Sequence, residues 1–253
     1  MGTLDGKIAI VTGAGQGVGR GIALALARQG AALVLAGRTL SKLDAVAGEI
    51  EALGGRAITI TCDVKQAADV EAVVARTVEA FGGVDILVNN AQEVALGPLL
   101  AVPDEAFIAG FDSGPLASLR FMRACHPHMK ARGGGSIINL ASAVSERWDM
   151  SGYGGYAAVK QAVRALSRAA SAEWGPDGIR VNTIAPHALS PGMEGWIAAR
   201  PEEARAFIAT IPLGRVGDCE ADIGRVVAFL VGPDASYISG ATLPVDGGQA
   251  NFG

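Results

Sequence analysis

The sequence predicts a doubly wound α/β fold, and three observations carry that expectation. Short apolar runs alternate along the chain with longer stretches of helical period, the βαβα rhythm of a parallel sheet covered by helices. The runs are near-continuous in apolar residues rather than alternating, which marks strands buried on both faces. Glycine supplies 35 of 253 residues, about twice the typical share of roughly 7% and without collagen's every-third period. No Pro/Ser-rich linker or block of like charge divides the chain, so one domain over 1–253 is expected.

Taken in order, residues 7–12 read as the first strand and 17–29 as the helix after it. Residues 31–36 form the second strand, followed by a helix over about 41–53. Strands at 56–61 and 84–88 flank a helix over about 67–81, and later strands fall at 136–140, 179–184 and 242–245. The rhythm breaks at 187–212, which holds three prolines, two glycines and two short helical pieces. It follows a strand end, where a doubly wound sheet binds its ligand. A loop of that length is commonly functional, so 187–212 is expected to be a substrate lid.

Composition narrows the function classes. A net charge of −4 leaves no electrostatic footprint for nucleic acid or an acidic membrane surface. Three widely spaced cysteines, Cys62, Cys125 and Cys219, share no metal-ligand spacing and fit a reducing compartment. The most apolar stretch, 21–36, is broken by Arg28 and Gln29, short of the ~20 apolar residues of a membrane span. The N-terminus reaches a strand-like run too soon for a signal peptide. The expectation is a cytoplasmic protein with neither nucleic acid nor membrane as partner, and no metal.

After the first strand comes Thr12-Gly13-Ala14-Gly15-Gln16-Gly17-Val18-Gly19. This is a Thr-Gly-x-x-x-Gly-x-Gly spacing rather than Gly-x-Gly-x-x-Gly, since Val18 stands where the third glycine would fall. It serves the same physical end, giving a tight turn, a close backbone approach and a helix N-terminus for a pyrophosphate. Gly13, Gln16, Gly17, Val18 and Gly19 are therefore candidate cofactor contacts. The second strand ends Ala36-Gly37-Arg38. An acid there would hold the ribose hydroxyls of NAD; Gly37 followed by Arg38 suits a 2′-phosphate. NADP(H) is favoured and NAD(H) remains open. Asp63 and Val64 close the third strand against the adenine, and Asn90 and Ala91 close the fourth against a ribose.

These motifs, with Asn89-Asn90-Ala91, Ser142, Tyr156-Ala157-Ala158-Val159-Lys160, Ile179-Arg180-Val181-Asn182 and Val245-Asp246-Gly247-Gly248, resemble the short-chain dehydrogenase/reductase family, in the same order and over essentially the whole chain. The resemblance implies a Rossmann-type sheet of seven parallel strands with helices on both faces. It also implies NAD(P)-linked chemistry between a secondary alcohol and a ketone, and a homotetramer or homodimer. It places Pro186 and Leu189 beside the cofactor.

The residues support that chemistry directly. Tyr156 and Lys160 are four apart and share a helix face. A phenol of pKa about 10 is a poor acid–base catalyst at neutral pH unless its anion is stabilised. The Lys160 ammonium, with the positive charge of an oxidised nicotinamide, is expected to supply that stabilisation. Ser142 can hydrogen-bond the substrate oxygen. Tyr153 has Ala157, not Lys, four residues on, so the general acid/base is Tyr156.

Three positions depart from the family pattern. Asn-Asn-Ala-Gly is Asn89-Asn90-Ala91-Gln92 here. The family's catalytic Asn falls on Ser113, within Phe111-Asp112-Ser113-Gly114-Pro115, where Gly114 and Pro115 are expected to disrupt or kink the helix. Pro186-His187 replaces Pro-Gly after the sixth strand. Gln92 and His187 are thus candidate substrate or cofactor contacts and Ser113 a fourth catalytic residue. Trp148 lies between Ser142 and Tyr156, and Met193 and Trp196 lie on the expected lid. With Gln92, Ser142, Tyr156 and His187 they complete the candidate substrate set and suggest an apolar substrate, such as a cyclic ketone, a steroid-like alcohol or an acyl chain. The competing reading is a cofactor-binding regulatory or structural protein of the same fold with weakened catalysis.

Overall fold

The strand β1 (Ile8–Thr12), IAIVT, is buried at every position, and a run with no polar side settles only where both faces of a sheet are covered. A computed structural model, describing residues 2–146 and 151–250, provides that sheet. Its strands are β1, β2 (Ala32–Gly37), β3 (Arg56–Thr61), β4 (Ile86–Asn89), β5 (Gly135–Leu140), β6 (Ile179–Pro186) and β7 (Thr242–Val245). They lie in the order β3-β2-β1-β4-β5-β6-β7, and every pairing is parallel. Ile10 registers with Val34 on one side and Leu87 on the other. The winding direction reverses between β1 and β4, which opens a crevice at their C-terminal ends.

The helices are α1 (Gly17–Arg28), α2 (Leu40–Ala52), α3 (Ala67–Phe81), α4 (Asp104–Phe111), α5 (Ala117–Ala131), α6 (Gly154–Trp174), α7 (Pro191–Ala199), α8 (Pro201–Ile208) and α9 (Arg225–Val231). Strand residues divide by their period of two. Val11, Leu33, Leu35 and Val88 join α1, α2 and α9 in one core. Ile10, Val34, Leu87 and Val181 join α3 and α5 in the other, where Trp174 packs. Part of the glycine excess lies in these contacts. A Cβ on Gly21 of α1 would sit 2.3 Å from the Cys219 carbonyl, and one on Gly224 would sit 2.6 Å from the Gly21 oxygen.

Most expected bounds fall within two residues of the observed ones. β6 runs on to Pro186 because Ala185 and Pro186 pair with Pro244 and Val245. Helices α4 and α9, which no sequence pattern announces, are short, and α4 carries no strong apolar stripe. At Gly114 and Pro115 the helix is distorted rather than ended: Asp112–Leu116 forms a π-helical turn between α4 and α5. The wider turn shifts the hydrogen-bond ladder by one residue and accommodates the missing N–H of Pro115. The expected lid carries α7 and α8. No described helix is long and apolar enough to cross a membrane.

Candidate active site

The phosphate loop leaves β1 with φ of +64° at Gly13 and enters α1 with φ of +54° at Gly17, a conformation that favours glycine. A Cβ on Gly19 would lie 2.3 Å from the Gly13 oxygen, so the turn closes only with glycine at both points. Gln16 makes no side-chain cap on α1, which leaves the first-turn N–H groups and the helix dipole for an anion. Asn90 braces the loop from below. Its Nδ2 donates to the Thr12 and Gly13 carbonyls at 2.9 and 3.2 Å, while the Asn90 and Ala91 N–H groups donate to Thr12 Oγ1 at 3.0 Å each.

A cleft of about 480 Å³ opens here, lined among others by Gly13, Gln16, Gly17, Val18, Arg38, Asp63, Val64, Asn90 and Ala91. Gln92 and Ser113 line it as well. Its far wall is the start of α7, where Pro191 holds the first position and Ser190 Oγ accepts from Met193 N. A glycine-walled cleft beside an uncapped helix N-terminus, with a guanidinium at its other end, fits a dinucleotide.

Tyr156 and Lys160 sit on α6, one turn apart, and Ser142 ends the segment after β5. The Tyr156 hydroxyl hydrogen-bonds the Ser142 side chain, but burial still pushes the phenol upward, with Tyr153 adding to the shift. Lys160 is 4% exposed. Its Nζ donates to the Leu140 carbonyl at 2.7 Å and stands 5.5 Å from the Tyr156 ring centre. Burial holds this amine down to about 7. The ammonium expected to depress the phenol is therefore itself drawn toward neutrality, because desolvation penalises both charged forms. These three residues come together as a set but are not among those lining the large cleft.

Gln92 and Ser113 form one cluster. Gln92 Nε2 lies within hydrogen-bonding reach of the Glu93 and Gly110 carbonyls at 2.9 Å each and of Ser113 Oγ at 3.2 Å. Ser113 Oγ donates to the Ala109 carbonyl at 2.7 Å and accepts from Glu93 N at 3.0 Å. Gln92 thus turns its amide into the helix layer, and the Ser113 hydroxyl ties that loop to the π-helical turn. A Cβ on Gly114 would meet Gln92 Oε1 at 2.5 Å. Of the three departures from the family pattern, those at 92 and 113 touch each other and Gln92 also packs on Gly114, while His187 stands apart from them.

On the lid side, the His187 ring meets Phe207 edge-on at 5.4 Å, and Phe207 meets Trp196 edge-on at 5.5 Å. Met193 is half-buried beside Trp196 on α7 and Leu189 is exposed. Phe207 of α8 joins the candidate residues His187 and Trp196, a contact that sequence reasoning misses, since nothing in a short amphipathic helix signals which ring it will meet. Trp148 lies outside the described residues. Among the described residues no group of three His, Cys, Asp or Glu could hold a metal ion.

A doubly wound sheet whose switch-point crevice carries a phosphate loop, with Ser142, Tyr156 and Lys160 gathered at the C-terminal end of β5, defines a nucleotide-linked oxidoreductase class. Comparison with known proteins makes this specific. Residues 13–250 match the family model described as Enoyl-(Acyl carrier protein) reductase. The chain is 41% identical to a 12α-hydroxysteroid dehydrogenase from a Clostridium species, over 98% of both chains. It is 36% identical to the short-chain reductase protein NovJ of Streptomyces niveus, over 96% of this chain and 94% of that one. The structure of a 7α-hydroxysteroid dehydrogenase complexed with NADH and 7-oxo glycochenodeoxycholic acid superposes with a TM-score of 0.92 at 33% identity, covering 98% of this chain and 95% of the other. The chain belongs to the short-chain dehydrogenase/reductase family of oxidoreductases.

Proposed function

We propose that this protein is an NADP(H)-dependent dehydrogenase/reductase that interconverts a secondary alcohol and a ketone on an apolar, hydroxysteroid-like skeleton. The observation that carries the reading is the hydrogen bond between Tyr156 and Ser142 above the buried Lys160. A nicotinamide cofactor held in the cleft would supply or accept the hydride. In the reducing direction the Tyr156 hydroxyl donates its proton to the oxygen of the developing alkoxide. Ser142 donates a second hydrogen bond to the same oxygen and holds it against Tyr156. Lys160, anchored on the Leu140 carbonyl, faces the Tyr156 ring and, in its protonated form, stabilises the phenolate left behind. In the oxidising direction the same phenolate removes the alcohol proton.

Gly37 and Arg38 favour the 2′-phosphate form of the cofactor. The ring series His187, Phe207 and Trp196 favours an apolar skeleton, as do the substrates in the names of the two hydroxysteroid dehydrogenases. We also read the protein as cytoplasmic and as a homotetramer or homodimer. Its three cysteines are free thiols, and Leu99, Leu100 and Ile108 are exposed on one stretch of chain.

The test is NADPH oxidation with a panel of oxo-steroids and simple cyclic ketones, alongside Tyr156→Phe. We expect turnover of at least one oxo-steroid and a loss of about 100-fold or more in Tyr156→Phe, the scale of general acid–base catalysis. Tight NADPH binding without turnover of any ketone would overturn the reading in favour of a non-catalytic cofactor binder.

A further inference from the structure

Arg38 is paired in the structure. Its Nη1 donates to Glu93 Oε1 at 2.6 Å, and Lys65 Nζ donates to Glu93 Oε2 at 3.0 Å. Arg38 follows β2, Lys65 follows β3 and Glu93 follows β4, so a single carboxylate ties together three strand ends on one side of the crevice. Arg38 and Glu93 both line the 480 Å³ cleft. The Glu93 backbone is held on two sides, its N–H by Ser113 Oγ and its carbonyl by Gln92 Nε2. The carboxylate is therefore presented from a fixed base. The nearby Lys42 amine is occupied by Gln16 Oε1.

We propose that Glu93 is a built-in counter-ion that competes with the 2′-phosphate of NADP for Arg38 and Lys65, and so sets how strongly the protein distinguishes NADP from NAD. The proposal rests on the reading of Arg38 as the 2′-phosphate partner. The two cofactors differ only in that phosphate. Bringing it to Arg38 either displaces the Glu93 carboxylate or places two anions on one guanidinium, and like charges at that separation repel. NAD meets neither penalty, because its ribose carries no charge at this point and the ion pair can remain closed beside it. Glu93 thus narrows a preference that Gly37 and Arg38 would otherwise make steep.

The Arg38 side chain is 66% exposed and that of Glu93 31%, so the effect is that of a solvent-facing pair, up to about fivefold in an equilibrium constant. Dissociation constants by titration calorimetry for NADPH, NADH, adenosine 2′,5′-bisphosphate and 5′-AMP would measure it on wild type, Glu93→Gln, Glu93→Ala and Arg38→Ala. Both Glu93 variants keep the backbone bonds to Ser113 and Gln92. We expect them to tighten the two 2′-phosphorylated ligands about fivefold and to leave NADH and 5′-AMP within twofold. A parallel change for all four ligands, or none, would overturn the proposal. Arg38→Ala separates the two ideas. If it weakens the 2′-phosphorylated ligands while the Glu93 variants change nothing, Glu93 is no competitor and the Arg38 reading stands. If Arg38→Ala leaves NADPH affinity unchanged, the 2′-phosphate reading of Arg38 itself falls, and this proposal with it.

Discussion

Lys160 shows how a single residue couples stability to pH. Its amine is buried, anchored on the Leu140 carbonyl and held down to about 7, whereas an unfolded lysine titrates near about 10.4. Between those values the unfolded chain carries a proton that the native amine has released. The unfolded state binds more protons there, so the contribution of Lys160 to stability rises as pH increases across that interval and is flat below it. Buried Cys62 and Cys125 thiols, pushed up by their own burial, work in the opposite sense at alkaline pH. A difference measurement removes them. In denaturant melts between about pH 6.5 and 9.5, wild type should gain stability relative to Lys160→Met as pH rises. Parallel curves for the two proteins would mean that the native amine titrates normally.

At the scale of elements, the π-helical turn Asp112–Leu116, the loop after β4 and α6 interlock. A Cβ on Gly114 would meet Gln92 Oε1 at 2.5 Å and Val159 Cγ1 at 2.8 Å, and Val159 neighbours Lys160 on α6. Gly114→Ala gains the roughly 1 kcal/mol by which alanine favours helix, but it overpacks a closed site at about 1–3 kcal/mol. We expect a net loss of about 1 kcal/mol by chemical denaturation. The loss should shrink in a Gln92→Ala background, since removing the amide frees one of the two contacts. Equal losses in both backgrounds would show that Gln92 and Gly114 are energetically independent.

At the scale of the whole molecule, the sheet buries its apolar residues in two cores but leaves a run of large ones outside. Leu99 is 71% exposed, Leu100 fully exposed and Ile108 56% exposed, near the loop that carries Gln92 and Glu93. Contiguous exposed apolar surface on a folded chain is a mark of association. If these residues are covered in a homodimer or homotetramer, sedimentation velocity at micromolar concentration should give a mass two or four times that of the chain. Leu99→Ser/Leu100→Ser should then shift it toward the monomer with the far-UV spectrum unchanged. A wild-type monomer would overturn the oligomeric reading.

Much of this was legible in the residues. Buried parallel strands announce themselves as unbroken apolar runs, so the seven strands and the phosphate loop could be placed within two residues, whereas α4 and α9 could not. Tyr156 and Lys160 could be paired because they are neighbours on one helix, a local relation. What the tertiary structure decided is where partners distant in sequence meet. Arg38 and Glu93 are 55 residues apart and Gln92 and Ser113 are 21 apart. No periodicity encodes either pairing, because each arises only when the sheet brings separate strand ends and helices together. Burial is the same kind of property. The sequence alone determined that a phenol and an amine would share a helix face, but the packed core around them decided that both are driven toward their neutral forms, since the cost of charge depends on the surrounding medium and not on the residue alone.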